Sequence, residues 1–222
     1  MKEGVSERNK DHLEFGIISA SDKQNENNIS CLGTFHDVLL ESVGNQGVLL
    51  LRHSDRPSFD GMMQSDRDAV SITPLGVEKA VHAGRVLNVT GIVMSSPVPR
   101  CLETAKHLSP DGEVVTLNAL CGGPRGSEWS SMKEEIGWYE SIRRWLEEEL
   151  EGYVTAQEVG EKLLRKLDET CPPNRISVAV SHDQVILAVA NHLGVRTDEL
   201  AVPFLGGIFV VQTPITSRFP IA

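Results

Sequence analysis

The sequence predicts an α/β protein, a three-layer α/β/α sandwich whose central sheet is mostly parallel. Three observations carry this. Apolar runs of strand length alternate with helical patterns from about residue 47 onward. The candidates "GVLLLRH", "GIVMSS" and "RISVAVSHD" are continuous apolar runs, the pattern of strands covered on both faces. At 222 residues the chain is long enough for one sizeable core.

Taken in order, residues 1–30 read as a polar N-terminal extension, with "SDKQNENN" its most loop-like part, and residues 31–222 as a single domain. "TFHDVLLESV" predicts a short helix before a turn at Asn45 to Gly47, and "GVLLLRH" is the first strand. "TPLGVEKAVHAGRVL" is a helix whose start is marked twice, by Thr73 as N-cap and by Pro74 at the first helical position. "GIVMSS" is the next strand, "VPRCLETAKHL" the next helix and "EVVTL" a third strand. "CGGPRGSEW" reads as a loop; "EIGWYESIRRWLEEEL" is a helix with Trp138, Ile142, Trp145 and Leu146 spaced to form a packing face. "TAQEVGEKLLRKLDET" is a helix ending near Pro172 and Pro173. "RISVAVSHD" follows as a strand, "QVILAVANHLG" as a helix closed by Gly194, and "GGIFVVQT" as a last strand.

Composition narrows the function. Lys plus Arg number 21 against 31 Asp plus Glu, a net charge of −10, which disfavours a nucleic-acid binder or a protein of anionic membranes. An anion site must therefore be a local basic cluster. Cys31, Cys101, Cys121 and Cys171 are too irregularly spaced for a zinc motif or a disulfide framework, so they are expected to be inert thiols. The first residues, "MKEGVSERNKDHLEF", lack the apolar core of a signal peptide, and no apolar run approaches the roughly 20 residues that span a bilayer. The expectation is a soluble, cytoplasmic protein without membrane partners.

Charge collects at three strand ends, where ligands bind in open α/β sheets. "VLLLRHSDRP" carries Arg52, His53 and Arg56; "SSPVPR" leads into a helix containing Arg100; "SHD" supplies His182 and Asp183. Desolvating so much positive charge costs several kcal/mol unless an anion offsets it. Arginine forks hold a tetrahedral dianion by paired, charge-assisted hydrogen bonds. One imidazole among them can attack phosphorus, a second can stabilise the equatorial oxygens, and an acid can protonate the leaving alkoxide. The scheme requires neither metal nor cofactor.

Four segments in this order, "LLRHSDRP", "ITPLGVEKAVHAG", "SSPVPRCLETA" and "VAVSHD", resemble the histidine phosphatase superfamily, which includes phosphoglycerate mutases and histidine acid phosphatases. They span about two thirds of the chain. The resemblance implies a phosphoglycerate mutase-like fold, His53 as the nucleophile that becomes phosphohistidine, Arg52 and Arg100 as the phosphoryl clamp, and His182 completing the phosphate pocket. Arg56 matches the third arginine of the acid-phosphatase-like "RHxxR" pattern. Asp183 matches the acid of that branch and is the first choice as proton donor; Glu128 in "GPRGSEW" is the alternative, after the mutase-like branch. One departure is Ser54, where the family usually has glycine; its hydroxyl is a candidate donor to phosphate.

His36, His82, His107 and His192 fall in helical segments away from these strand ends and read as structural. Arg125 lies in a Gly-rich loop and has two readings, a loop arginine without a role, which is preferred, and a cover over the pocket. Arg143 and Arg144 sit among acidic neighbours and read as surface ion pairs, while Ser95 and Ser96 serve the turn. The function this implies is a metal-independent phosphatase acting on a phosphomonoester, either a small molecule or a phosphoprotein. The alternatives are a mutase that returns the phosphoryl group to a second position, ranked lower because few further basic residues are in view, and a non-catalytic phosphate-recognising regulatory module.

Overall fold

The computed structural model describes residues 14–17, 47–89, 91–172, 175–195 and 201–213. Its six strands are β1 (Glu14–Ile17), β2 (Gly47–Arg52), β3 (Val93–Ser95), β4 (Val114–Thr116), β5 (Ile176–Ser181) and β6 (Gly207–Thr213), in the sheet order β1-β6-β2-β5-β3-β4. The pairings β2 with β5, β5 with β3 and β3 with β4 are parallel; β6 runs antiparallel to β2 and to β1. The helices are α1 (Gln64–Ala69), α2 (Pro74–Leu87), α3 (Pro99–Leu108), α4 (Ser127–Ile136), α5 (Trp138–Glu147), α6 (Ala156–Thr170) and α7 (Asp183–His192), with a 3₁₀ turn at Asn118–Cys121.

Strand alternation divides the core in two. Leu49 and Leu51 of β2, with Val178, Val180 and Phe209, face α2 and α3 through Ala83, Cys101, Ala105 and Leu108. Val48 and Leu50, with Ala179, Ile208 and Val210, face the other layer through Ile142, Trp145, Leu163, Leu167 and Ile186. Both faces of the central strands are therefore buried, which is why their sequences are unbroken apolar runs. This is the three-layer α/β/α arrangement expected from the sequence. Among the described residues no helix is long and apolar enough to cross a membrane.

Local signals account for most boundaries. The Thr73 hydroxyl accepts from the Gly76 N–H at the start of α2, with Pro74 at the first helical position. Thr155 and Glu158 form a reciprocal capping box on α6. Three expectations need correcting. The stretch read as a polar extension contains the edge strand β1, whose register on β6 runs from Glu14 opposite Thr213 to Ile17 opposite Val210. The helix expected across "EIGWYESIRRWLEEEL" is two helices, because Gly137, at φ +81°, ends α4 and opens α5. The loop "CGGPRGSEW" gives way to helix at Ser127. The helix expected over "TFHDVLLESV", together with His36 and Cys31, lies outside the described residues.

Candidate active site

Because β2, β3 and β5 are parallel neighbours, their carboxyl ends open on one edge of the sheet. Arg52 closes β2, His53 follows it, α3 begins just after β3 and carries Arg100 in its first turn, and His182 and Asp183 follow β5. All of these, with Arg56, line one cavity of about 900 Å³. Residues 130 positions apart meet because β2 pairs β5 in a register that sets Arg52 opposite Ser181.

The tautomers of both histidines follow from their partners. His53 Nδ1 lies 2.8 Å from the Ser54 carbonyl oxygen, which can only accept, so Nδ1 carries the proton. Its Nε2 then presents a lone pair, which accepts from Arg100 Nε at 3.3 Å. His182 Nδ1 faces Arg100 Nη2 at 3.3 Å, and a guanidinium can only donate, so the His182 proton sits on Nε2 and is given to Ser96 Oγ at 3.0 Å. The third Arg100 nitrogen, Nη1, donates to the Arg67 carbonyl at 3.0 Å. One guanidinium thus joins both imidazoles, whose ring centroids are 5.6 Å apart.

Burial and the arginines keep both imidazoles neutral. Burial pushes the pKa of His53 well below its ordinary value against the opposing hydrogen bond to Ser54, and Arg100, Arg52 and Arg56 add to the fall. His182 is pushed down by burial first, then by Arg100 and His53. Burial also pushes Arg56 down to about 10, with the charges of Arg100 and Arg52 contributing. Arg56 stacks on Phe59, its guanidinium carbon 3.2 Å from the ring centroid, and Arg52 stacks on Phe204 at 4.3 Å. The Nε atoms of Arg52 and Arg56 are buried without a partner among the described residues, an unmet demand for an acceptor.

Asp183 has both oxygens engaged. Oδ2 pairs with Arg52 Nη2 at 3.1 Å and Oδ1 accepts the Gln184 N–H at 2.9 Å. Glu128, the alternative acid, is not in this cavity: it is exposed on α4 and faces a shallow groove with Ser131, Met132 and Arg144. The reason is helical phase. The pocket face of α4 is set by Trp129, buried in the core, and it carries Ser130 and Lys133 toward the cavity.

Ser54 also differs from expectation. It is fully buried, and its hydroxyl donates to the Gly76 carbonyl at 2.7 Å, so it is committed to α2 and unable to reach a ligand. Its N–H donates to Thr104 Oγ1 at 3.0 Å. The residue after the nucleophile is thereby tied to two helices, and its carbonyl fixes the His53 ring.

Arg143 and Arg144 pair with Glu140, at 2.6 and 3.2 Å, and Arg143 also with Glu147, away from the cavity. His82, His107 and His192 lie in α2, α3 and α7 and do not line it. Cys101 and Cys171 are buried free thiols, pushed up to about 12 and about 11 chiefly by burial; Cys121 is free and half-buried. The cavity also holds groups the sequence did not single out, Phe59, Arg67 and Lys133, joined by the exposed loop residue Arg125, while Phe204 packs behind it on Arg52 and the His53 ring. The premise that few further basic residues attend the site is thus corrected. The only available signal was the aromatic-cation mixture "RPSFD" next to the nucleophile motif.

The model of the histidine phosphatase superfamily (branch 1) matches residues 48–201, which runs from the first central strand past α7. The chain belongs to the histidine phosphatase superfamily. No curated protein sequence matches it. Among solved structures, this superfamily member is similar to a phosphoserine phosphatase from Entamoeba histolytica in complex with 3-phosphoglyceric acid, at 20% identity and TM-score 0.54, covering 76% of this chain and 95% of that one. It is also similar to a mycobacterial glucosyl-3-phosphoglycerate phosphatase, at 21% identity and TM-score 0.53, covering 70% of this chain and 82% of that one. These likenesses bear on the fold.

Proposed function

We propose that this histidine phosphatase superfamily member is a phosphomonoesterase that works through a phosphohistidine on His53. The observation carrying this reading is the His53 ring: Nδ1–H is held by the Ser54 carbonyl while the Nε2 lone pair faces Arg100 in the cavity. A neutral imidazole with one nitrogen protonated and fixed is a nucleophile at the other.

In the proposed reaction the phosphoryl group of a monoester monoanion binds Arg52, Arg56 and Arg100, meeting the free Nε donors. Nε2 of His53 attacks phosphorus and the bond to the leaving oxygen breaks. Asp183, freed from Arg52 by the incoming anion, relays the ester's own proton to that oxygen, so an alcohol departs. Water then attacks the phosphohistidine, Asp183 takes its proton and hands it to the departing phosphate, and dihydrogen phosphate leaves with His53 and the Asp183 carboxylate restored. His182 and Arg100 stabilise charge on the equatorial oxygens throughout. The two structural neighbours named above are phosphatases, which agrees with hydrolysis.

Intact mass spectrometry after a rapid, acid-free quench with an aryl phosphate, in the presence of chelator, tests the proposal. The expected result is turnover with a transient gain of one phosphoryl mass, both lost in His53→Ala. Unchanged hydrolysis in that variant would sink it. The added cations Arg67, Arg125 and Lys133 favour a second reading, return of the phosphoryl group to another position of a polyanionic substrate. Product analysis with a phosphorylated sugar acid separates the two.

A further inference from the structure

Beyond the phosphate clamp and the loop residue Arg125, the cavity wall carries two cations held on helices, Arg67 from α1 and Lys133 from α4. Neither is in an ion pair among the described residues. Both are positioned by the fold. Arg67 Nε donates to the Met62 carbonyl at 3.0 Å, while the Arg67 carbonyl is the anchor of Arg100. Lys133 stands one helical turn after Trp129, which is buried in the core, and its ammonium lies 5.8 Å from the Trp138 ring centroid.

These two cations act on each other. Lys133 has its pKa lowered by burial and then by Arg67, with Asp183, Glu134 and Asp68 acting in the opposite direction without offsetting them. Two like charges held in a half-buried wall are costly, and an anion between them removes the cost. The cavity, at about 900 Å³, has room for a ligand far larger than one phosphoryl group.

We propose that the leaving group of the substrate carries a second acidic group, bound between Arg67 and Lys133 while the phosphoryl group sits among Arg52, Arg56 and Arg100. The inference rests on the phosphomonoester reading. It narrows the substrate to esters with two separated anionic groups. Simple alkyl and aryl phosphates would then be poor substrates.

Calorimetric titration of His53→Ala protein tests this without turnover. The probes are phosphoglycolate and 3-(phosphonooxy)propanoate, each against its carboxylate-free match, ethyl phosphate and propyl phosphate. At least one acid is expected to bind tenfold or more tighter than its match, the worth of a charge-assisted contact. That advantage should collapse when Arg67→Met or Lys133→Met is added and survive with Lys133→Arg, with melting curves showing each variant folded. An acid series that gains nothing, or a gain that survives both Met variants, overturns the proposal. Wild-type hydrolysis of the same esters is scored separately: no turnover beside an intact acid preference would sink the phosphatase reading and leave the second anion site standing.

Discussion

Asp183 is gripped from two sides, by Arg52 and by the Gln184 amide, so its replacement has two separable effects. Loss of the grip on Arg52 affects every ester alike, whereas loss of proton transfer matters only when the leaving group needs the proton. Asp183→Asn is therefore expected to reduce kcat by about 10²–10⁴ for an alkyl phosphate and much less for p-nitrophenyl phosphate. Equal losses with both esters would remove Asp183 from the proton-donor role. The histidines make a second prediction, about pH. His53 and His182 have depressed values when folded, so below about pH 6.5 the unfolded chain binds protons that the folded chain does not. Stability is fully present above that pH and falls as pH drops beneath it toward the depressed values, by up to about 1.4 kcal/mol per pH unit for each histidine. Urea titrations between pH 7.5 and 5.5 should show the slope, and a shallower one in His53→Ala. Residues such as these were readable from sequence because each abuts an apolar run that ends in charge. Arg67, Lys133 and Phe204 stand in no such frame; the first two reach the cavity only through the placement of α1 and α4, and Phe204 reaches Arg52 and His53 only through the turn before β6.

At the scale of elements, the start of α2 supports the nucleophile. The Thr73 N–H donates to the Asp55 carbonyl at 2.9 Å and the Gly76 carbonyl accepts from Ser54. A Cβ on Gly76 would lie 2.4 Å from that Asp55 oxygen, so the helix and the His53 loop touch backbone to backbone. Gly76→Ala is expected to cost about 1–3 kcal/mol of stability and to lower turnover as the loop shifts. Leu75→Ala beside it, at an exposed position, should stay within about 0.5 kcal/mol. Melting temperature and kcat measured together distinguish these, and a Gly76→Ala protein with wild-type values for both would show the contact to be dispensable. The start of α2 was legible in full because Thr73 and Pro74 are local signals. The division of α4 from α5 was not, since a glycine inside a helical pattern is compatible with either continuity or a break, and only the positive φ of Gly137 decides it. Glu128 was misplaced for the same reason: with the start of α4 unknown, its helical phase was unknown.

For the whole molecule, the contrast is between a chain of net charge −10 and a cavity in which cations outnumber carboxylates. The net charge repels a polyanion at long range while the cations of the cavity attract it, so association depends on a local field that salt screens. Raising the salt from about 20 mM to 0.5 M, where the screening length falls to a few Å, is expected to lower kcat/KM for a dianionic ester several-fold, with little change in kcat. A salt-independent kcat/KM would show that the field does not guide binding. The alternation of strands and helices, readable in the sequence, established the layers. The antiparallel turn of β6 and the added edge strand β1 were not readable, because an apolar run carries no mark of its direction and β1 is only four residues long.

The central position of β2 also governs how the chain comes into being. Its neighbours on either side, β5 and β6, are made last, after the whole of α1 to α6. During synthesis the run "VLLL" therefore has no sheet partner until Ile176–Ser181 emerges, and both halves of the phosphate clamp remain apart for the same interval. A nascent chain with so late a closure exposes a strongly apolar strand for most of its translation, and fragments ending before Ile176 are expected to aggregate rather than fold.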